Sequence, residues 1–239
     1  MNQLQSQMSQ MRLHGMAQAY QSLQEARKLH ELDLNEGLEL LLQAEDLERQ
    51  NRRFKRLEYN ASFRYKASME ELKTDPSRGV DKQLIAALAT GEYIEKGTSV
   101  LITGATGCGK SFMASALGHQ ACMQGYTVSY FNTQKLMLKL KMSRLEGSIY
   151  KLFEKLSKTH LLIMDDFGLT RLDGQQQMDL MELIEDRHAR TATIIASQLP
   201  VASWYDVIGE ETVADAILDR LIHTSYRIEL KGESLRKKL

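Results

Sequence analysis

The chain has 239 residues, 43% of them hydrophobic and 26% charged, which is enough for one sizeable core and a smaller appendage. Its 31 basic and 31 acidic residues give a formal net charge of +0, so any polyanion-binding surface must arise from local clustering. Two cysteines exclude a disulfide framework, and no apolar run approaches about 18 residues, so the sequence predicts neither a signal peptide nor a membrane span. We expect a cytoplasmic protein without membrane contact.

The first part of the chain, residues 1–66, is predicted to be a small all-helical domain. It lacks proline, and hydrophobic residues recur at helical spacing from Leu4 to Tyr20. Asp33 is placed to cap a further helix that begins near Glu36. The period of the pattern therefore predicts helix throughout this segment.

Acidic and basic residues occupy different parts of this helical segment. The charged residues of 31–48 are all acidic, whereas those of 49–66 are predominantly basic. One interpretation is a solvated helix whose charges suit its own dipole. The other is a nucleic-acid-binding patch, in which aromatic side chains alternate with cations that include Arg52 and Arg53.

A linker is predicted over residues 67–82, because residues 74–79 combine one of the two prolines with turn-forming residues on both sides. The second domain then covers residues 83–239. Strands and helices alternate in it, which favours an α/β fold with a parallel sheet flanked by helices. The predicted strands are 99–103, 127–131, 161–166 and 191–197, and the predicted helices are 81–90, 112–124, 133–158 and 175–187.

The turn after the first predicted strand matches the phosphate-binding pattern G-x-x-x-x-G-K-[ST]. Its glycines allow successive backbone N–H groups to point at an anion, and the helix that follows adds its partial positive charge. Lys110 is expected to reach the outer phosphates and to act in catalysis, and the Ser111 hydroxyl to ligate Mg²⁺. We therefore predict that this loop binds the phosphates of a nucleotide together with Mg²⁺. The predicted nucleotide-binding residues are Gly104, Ala105, Thr106, Gly107, Cys108, Gly109, Lys110 and Ser111.

The strand at 161–166 ends in two carboxylates, as a Walker B strand does. Ligands of open parallel sheets bind at the carboxyl ends of the strands, so we expect Asp165 to hold Mg²⁺ and Asp166 to orient the attacking water. Polar residues also follow the fourth strand. Ser197 is predicted to be catalytic, with Gln198 as the alternative contact to the γ-phosphate or the water, although both could simply end the strand before Pro200.

These motifs together resemble the IstB-like ATPases, helper proteins of bacterial insertion-sequence transposition in the AAA+ class, beside DnaA and DnaC. The resemblance is collinear over essentially the whole chain. It implies an AAA+ ATPase that forms homo-oligomers with ATP on double-stranded DNA and recruits or activates a transposase. The chain after Arg220 is short, so a C-terminal lid is expected to be largely absent. The matching segments are 11–16, 51–56, 104–111, 161–168, 196–200, 218–221 and 232–236.

The resemblance also implies a role for Arg220 as an arginine finger that completes a neighbouring subunit's site. A guanidinium remains protonated and can stabilise charge on the transferring phosphoryl group. The alternative is an ion pair with Asp215 or Asp219. Arg187 is a second interface candidate, and Arg236 is at most a remnant of a sensor site.

The predicted helix at 133–158 is rich in cations, and in related initiator-type ATPases this region lines the inner surface of the assembly. Lys135, Lys139, Lys141 and Arg144 are therefore predicted DNA contacts, with a merely solvated helix face as the alternative. A DnaC-like replicative helicase loader is the main competing function. A small-molecule kinase would use the same phosphate loop but would need an arginine-bearing lid.

Overall fold

The structure, a computed structural model, describes residues 3–235. Contacts divide the chain into two units, one ending at Arg56 and one beginning at Leu57. This division lies inside a helix rather than in the predicted linker at 67–82. The reason is packing: Ala61 and Ala67 are buried, and the ring of Phe63 lies edge-on to Tyr130. The extent of separately folding domains stays a prediction.

The first unit consists of helices α1 (Gln3–Gln10) and α2 (His14–Glu25) and most of α3 (Leu34–Ala61). The predicted cap of α3 is present, since Glu36 N–H donates to Asp33 Oδ1 at 2.8 Å and Asp33 N–H donates to Glu36 Oε2 at 3.0 Å. The prediction of helix throughout this segment is wrong: helix is not continuous over the described residues 3–66. Loops separate the described helices, and α3 stops at Ala61 because Ser62 adopts φ +57°.

Glu45 holds α2 against α3 within this unit. Its buried carboxylate accepts hydrogen bonds from the backbone N–H groups of Gly15 at 2.8 Å and Met16 at 3.3 Å. A Cβ on Gly15 would lie 2.3 Å from the Ala44 carbonyl oxygen, so only glycine permits this helix approach. Arg49 adds an ion pair to Glu45 at 2.7 Å.

The second unit is an α/β domain with a parallel five-stranded sheet of order β2-β3-β4-β1-β5 in the described chain. Helices flank the sheet, as predicted. The strands are β1 (Val100–Gly104), β2 (Val128–Asn132), β3 (Leu161–Phe167), β4 (Ala192–Ser197) and β5 (Tyr226–Leu230). The helices are α4 (Lys82–Ala89), α5 (Glu92–Glu95), α6 (Lys110–Met123), α7 (Thr133–Leu145), α8 (Ile149–Ser157), α9 (Gly174–Arg187), α10 (Trp204–Ile208) and α11 (Glu211–Ile222).

Two details differ from the sequence prediction. The helix predicted over 133–158 is split into α7 and α8, because Gly147 adopts φ +71°. The edge strand β5 was not predicted, although its residues alternate between exposed and buried as a half-covered strand requires. Among the described residues, no helix is long and apolar enough to cross a membrane.

The core fixes where the strand ends lie. Leu162 and Ile195 of the sheet pack with Leu140 of α7 and Leu183 of α9 in one buried cluster. All neighbouring strands are parallel, so their carboxyl ends meet at one edge, which carries Gly104, Asp165, Ser197 and their neighbours.

Candidate active site

The glycine-rich turn between β1 and α6 has the backbone that its sequence predicts. Gly104, Gly107 and Gly109 adopt φ values of +144°, +86° and +102°, which are open to glycine and strained for other residues. Lys110 is buried, and its Nζ donates to the carbonyl oxygens of Gly104 at 2.8 Å and Ala105 at 2.9 Å. The loop therefore holds its ammonium group at the start of α6, where an anion is favoured.

The end of the described chain lies on this loop. Leu235 N–H donates to the Gly107 carbonyl at 3.0 Å, and the Cys108 thiol donates to the Gly232 carbonyl at 3.3 Å. A Cβ on Gly107 would lie 2.1 Å from Ser234 Oγ. Close packing as well as backbone conformation thus requires glycine at position 107.

A cavity of about 380 Å³ opens beside the loop. It collects side chains from the phosphate loop, from the ends of β3 and β4, and from the segment that follows α3. The lining residues are Arg64, Tyr65, Thr106, Gly107, Gly109, Lys110, Ser111, Phe112, Asp166, Leu169, Gln198 and Leu235.

The two carboxylates of β3 lie next to each other but in different surroundings. Asp165 is fully buried and accepts a short hydrogen bond from the Tyr130 hydroxyl. Burial, together with Asp165, raises the pKa of Tyr130 well above its usual range, so this hydroxyl stays a donor. Asp166 faces the cavity at φ +56°, a costly backbone for a non-glycine residue, and accepts from Asn132 Nδ2 at 3.0 Å.

An arginine that sequence reasoning did not single out completes this cluster. Arg64 Nη1 lies 3.0 Å from Asp166 Oδ2 and 3.4 Å from Asp165 Oδ2. Arg64 is 101 and 102 positions before the two adjacent carboxylates, so no local pattern joins it to them. The only sequence signal was its place in the basic segment.

The end of β4 separates the two alternatives that the sequence left open. The Ser197 hydroxyl is fully buried, donates to the Phe167 carbonyl at 2.7 Å and accepts from Leu199 N–H at 3.1 Å. The Gln198 side chain instead lines the cavity, and its Oε1 accepts from Thr106 Oγ1 at 2.7 Å. The structure therefore places Gln198, and not the predicted Ser197, among the cavity groups.

The donor set fits Mg²⁺ with a nucleotide. Carboxylate oxygens of Asp165 and Asp166 and the hydroxyl of Ser111 are the hard ligands this ion prefers. The curled glycine loop, Lys110 and the helix N-terminus together suit a polyphosphate.

Comparison with known proteins agrees with this chemistry. The family model described as "IstB-like ATP binding protein" matches residues 6–239. The chain belongs to this family. An insertion-sequence ATP-binding protein of Sinorhizobium fredii, y4pL, is 41% identical over 227 residues, covering 95% of this chain and 93% of the relative. The ATP-binding protein of insertion sequence IS1162 from Pseudomonas fluorescens is 41% identical over 196 residues, covering 82% and 85% of the two chains.

Two solved structures share the α/β fold of this IstB-like chain. The crystal structure of the DnaC helicase loader matches with a TM-score of 0.58 and 20% identity, over 70% of this chain and 98% of that one. AMPPCP-bound DnaA from Aquifex aeolicus matches with a TM-score of 0.59 and 17% identity, over 73% of this chain and 53% of that one. At these identities the likeness concerns the fold.

Two further arginines lie away from the cavity of their own chain. Arg220 forms a short ion pair with Glu185, rather than with the alternative partners Asp215 or Asp219, and donates to the Ala216 carbonyl at 2.8 Å. It borders a recess shared with Ser99 and Thr191, which precede β1 and β4. Arg220 therefore lies towards the amino ends of the strands.

Arg187 is buried inside the domain, so its side chain is not available for a subunit interface. Its guanidinium is buried and donates to the carbonyls of Leu156, Thr159 and Ala192 and to the Thr193 hydroxyl. Burial lowers the pKa of Arg187 to about 9, which still leaves it protonated at neutral pH. Arg236 lies outside the described residues.

The predicted DNA contacts on α7 divide into two groups. Lys135, Lys139 and Lys141 are exposed, and Lys139 Nζ lies 5.3 Å from the centre of the Phe131 ring. Arg144 instead forms a short ion pair with the buried Asp179, so its charge is neutralised within the domain.

The predicted contacts in the first unit are both exposed residues of α3. Arg52 forms ion pairs with Glu48 at 3.3 Å and Glu45 at 3.6 Å. Arg53 lies beside it on the next position of the helix.

Proposed function

We propose that this chain is a Mg²⁺-dependent ATPase that assembles with copies of itself on double-stranded DNA and recruits or activates a transposase in the bacterial cytoplasm. One observation carries the proposal. In a chain of the IstB-like family, the phosphate loop and Asp166 at the end of β3 line a single cavity. The insertion-sequence relatives supply the biological setting.

The proposed division of labour follows the positions of the side chains. Lys110 and the loop N–H groups bind and orient the phosphates, and Ser111 and Asp165 hold Mg²⁺. When bound, Mg²⁺ neutralises charge on the phosphate oxygens. Asp166, whose side chain lines the cavity, orients the attacking water and accepts its proton. Gln198, which accepts a hydrogen bond from Thr106, contacts the γ-phosphate or the attacking water.

Arg220 is proposed to act on a neighbouring subunit's nucleotide. Its position away from its own cavity supports a role in trans, and its ion pair with Glu185 would hold it until subunits meet. In a mixture, Arg220→Ala subunits supply intact nucleotide sites and Lys110→Ala subunits supply intact fingers. We expect the mixture to regain part of the ATPase activity that each variant lacks. If mixed oligomers form without any recovery, Arg220 is only an ion-pair residue.

DNA contact is assigned to the exposed lysines of α7. Lysine ammonium groups suit phosphate contacts without base preference. Each contact contributes roughly −0.9 to the slope of log K against log salt, so Lys135→Ala/Lys139→Ala/Lys141→Ala should flatten that slope by about 2 to 3. The exposed pair Lys73→Ala/Lys82→Ala is the matched control. An unchanged slope in the triple variant would move the DNA site to residues 49–66.

Assembly on plain duplex DNA with ATP tests the whole proposal. We expect gel-shift assays and electron microscopy to show multi-subunit complexes that need ATP and are absent for Lys110→Ala. Binding that is independent of ATP would contradict the proposal. A preference for single strands with a replicative helicase would favour the helicase-loader alternative.

A further inference from the structure

The carboxylate pair at the end of β3 already has a cationic partner from its own chain. Arg64 Nη1 is within 3.0 Å of Asp166 Oδ2 and 3.4 Å of Asp165 Oδ2. Asp165 is almost completely buried, whereas the Arg64 side chain is 43% exposed. The guanidinium therefore approaches the carboxylates from the solvent side, through the cavity that it lines.

The segment that carries Arg64 is anchored on both sides of it. The ring of Phe63 meets Tyr130 edge-on at 6.2 Å, and Tyr130 is the residue that bonds Asp165. Phe63 also fills the space beside Gly118, where a Cβ would lie 2.5 Å from Phe63 Cε1. On the other side, Ala67 is buried. The backbone is thus fixed next to the carboxylates, while the long side chain of Arg64 can turn.

The Oδ2 atoms of Asp165 and Asp166 cannot bind Arg64 and a metal ion with full strength at the same time. Asp165 Oδ2 already accepts from Tyr130, and Asp166 Oδ2 from Asn132, before Arg64 is counted. A divalent cation bound to these oxygens would also repel the guanidinium, and at about 4 Å such a like-charge contact is strongly unfavourable in a partly buried site. Binding of Mg²⁺ at these Oδ2 atoms therefore competes with the ion pairs of Arg64.

We propose that Arg64 is the resident counter-cation of the Walker B pair, and that it stabilises Asp165 and Asp166 without Mg²⁺ and is displaced when Mg²⁺ enters with the nucleotide. The inference rests on the proposed function and adds regulation to the same site. Arg64 thereby lowers the energetic coupling between Mg²⁺ and nucleotide, because it supplies part of the positive charge when the ion is absent. It is a positioning residue for the carboxylates.

The test compares nucleotide affinity with and without the ion. Isothermal titration calorimetry with the non-hydrolysable analogue AMPPCP gives Kd in EDTA and in saturating Mg²⁺, and their ratio measures the coupling. In Arg64→Ala no cation offsets the repulsion between the carboxylates and the triphosphate, so Kd in EDTA should rise. Kd in Mg²⁺ should stay the same or fall, because Mg²⁺ no longer has to displace Arg64. We expect the ratio to increase roughly five- to tenfold over wild type.

Two further variants separate charge from structure. Arg64→Lys keeps the positive charge and should give a ratio close to that of wild type. Lys66→Ala removes an exposed cation from the same segment without contact to the carboxylates, and it should leave the ratio unchanged. A merely structural role of Arg64 would raise both dissociation constants together.

An unchanged or lowered ratio in Arg64→Ala would overturn the inference even if wild type binds AMPPCP well. Absence of AMPPCP binding to wild type in both conditions would instead overturn the proposed ATPase function itself. The two failures are therefore distinguishable in one set of titrations.

Discussion

The two ends of the sheet use charge in different ways. At the carboxyl ends, Lys110 and Asp166 line a cavity of about 380 Å³, so a ligand could reach both side chains. Towards the amino ends, Arg187 is more deeply buried, and the recess beside it has a volume of only about 10 Å³. Both Lys110 and Arg187 donate to backbone carbonyls, so a buried charge indicates a ligand site only when space for a ligand lies beside it.

The largest effect should follow removal of the loop cation. Lys110→Ala is expected to weaken ATP binding about 1000-fold. The substitution removes two charge-assisted hydrogen bonds from the ammonium group to phosphate oxygens, at roughly 2 kcal/mol each. Calorimetric titration with ATP checks this. The carboxyl-end assignment would be wrong if affinity stayed within a few-fold of wild type while Arg187→Met abolished binding.

Asp166→Asn should lower turnover about 100-fold with ATP affinity little changed, because the carboxylate is needed mainly in the transition state. Single-turnover hydrolysis and ATP titration on the same variant measure the two quantities. Hydrolysis at the wild-type rate would exclude Asp166 from the catalytic role.

At the opposite end, Arg187→Met should lower the free energy of unfolding by about 3 kcal/mol, because it leaves several buried carbonyls without donors. Denaturant-induced unfolding should show this loss of stability, whereas the folded protein should keep its ATP affinity. Arg190→Leu, which replaces an exposed neighbour, is the control and should change little. A selective loss of oligomer formation with normal stability would restore Arg187 as an interface residue.

The smallest expected effects are those of substitutions at Ser197 and Gln198, which are adjacent at the end of β4. Ser197→Ala should cost about 1 kcal/mol of stability, because its hydroxyl bridges Phe167 and Leu199, and should leave turnover near normal. Gln198→Ala should keep stability and lower turnover about tenfold. Steady-state hydrolysis and thermal melts test both, and the reverse result would return the catalytic role to Ser197.

The local features of this site could be predicted from the sequence. The glycines at 104, 107 and 109, and the apolar strand that ends in Asp165 and Asp166, define their own backbone and position through spacing alone. The parallel sheet also followed from alternating strands and helices. Of the five strands described, only β5 was not predicted, because its sequence signal is the short alternation of exposed and buried residues in Tyr226–Leu230.

Long-range packing decided the rest. The sequence placed Arg64 in a basic stretch, but the packing of Phe63 against Tyr130 and Gly118 brings Arg64 to the carboxylates of β3. Ser197 and Gln198 are adjacent in the chain and look equivalent there, yet the strand directs one into the core and the other into the cavity. Spacing determines local backbone and side-chain alternation, whereas contacts between residues a hundred positions apart depend on how every intervening element packs.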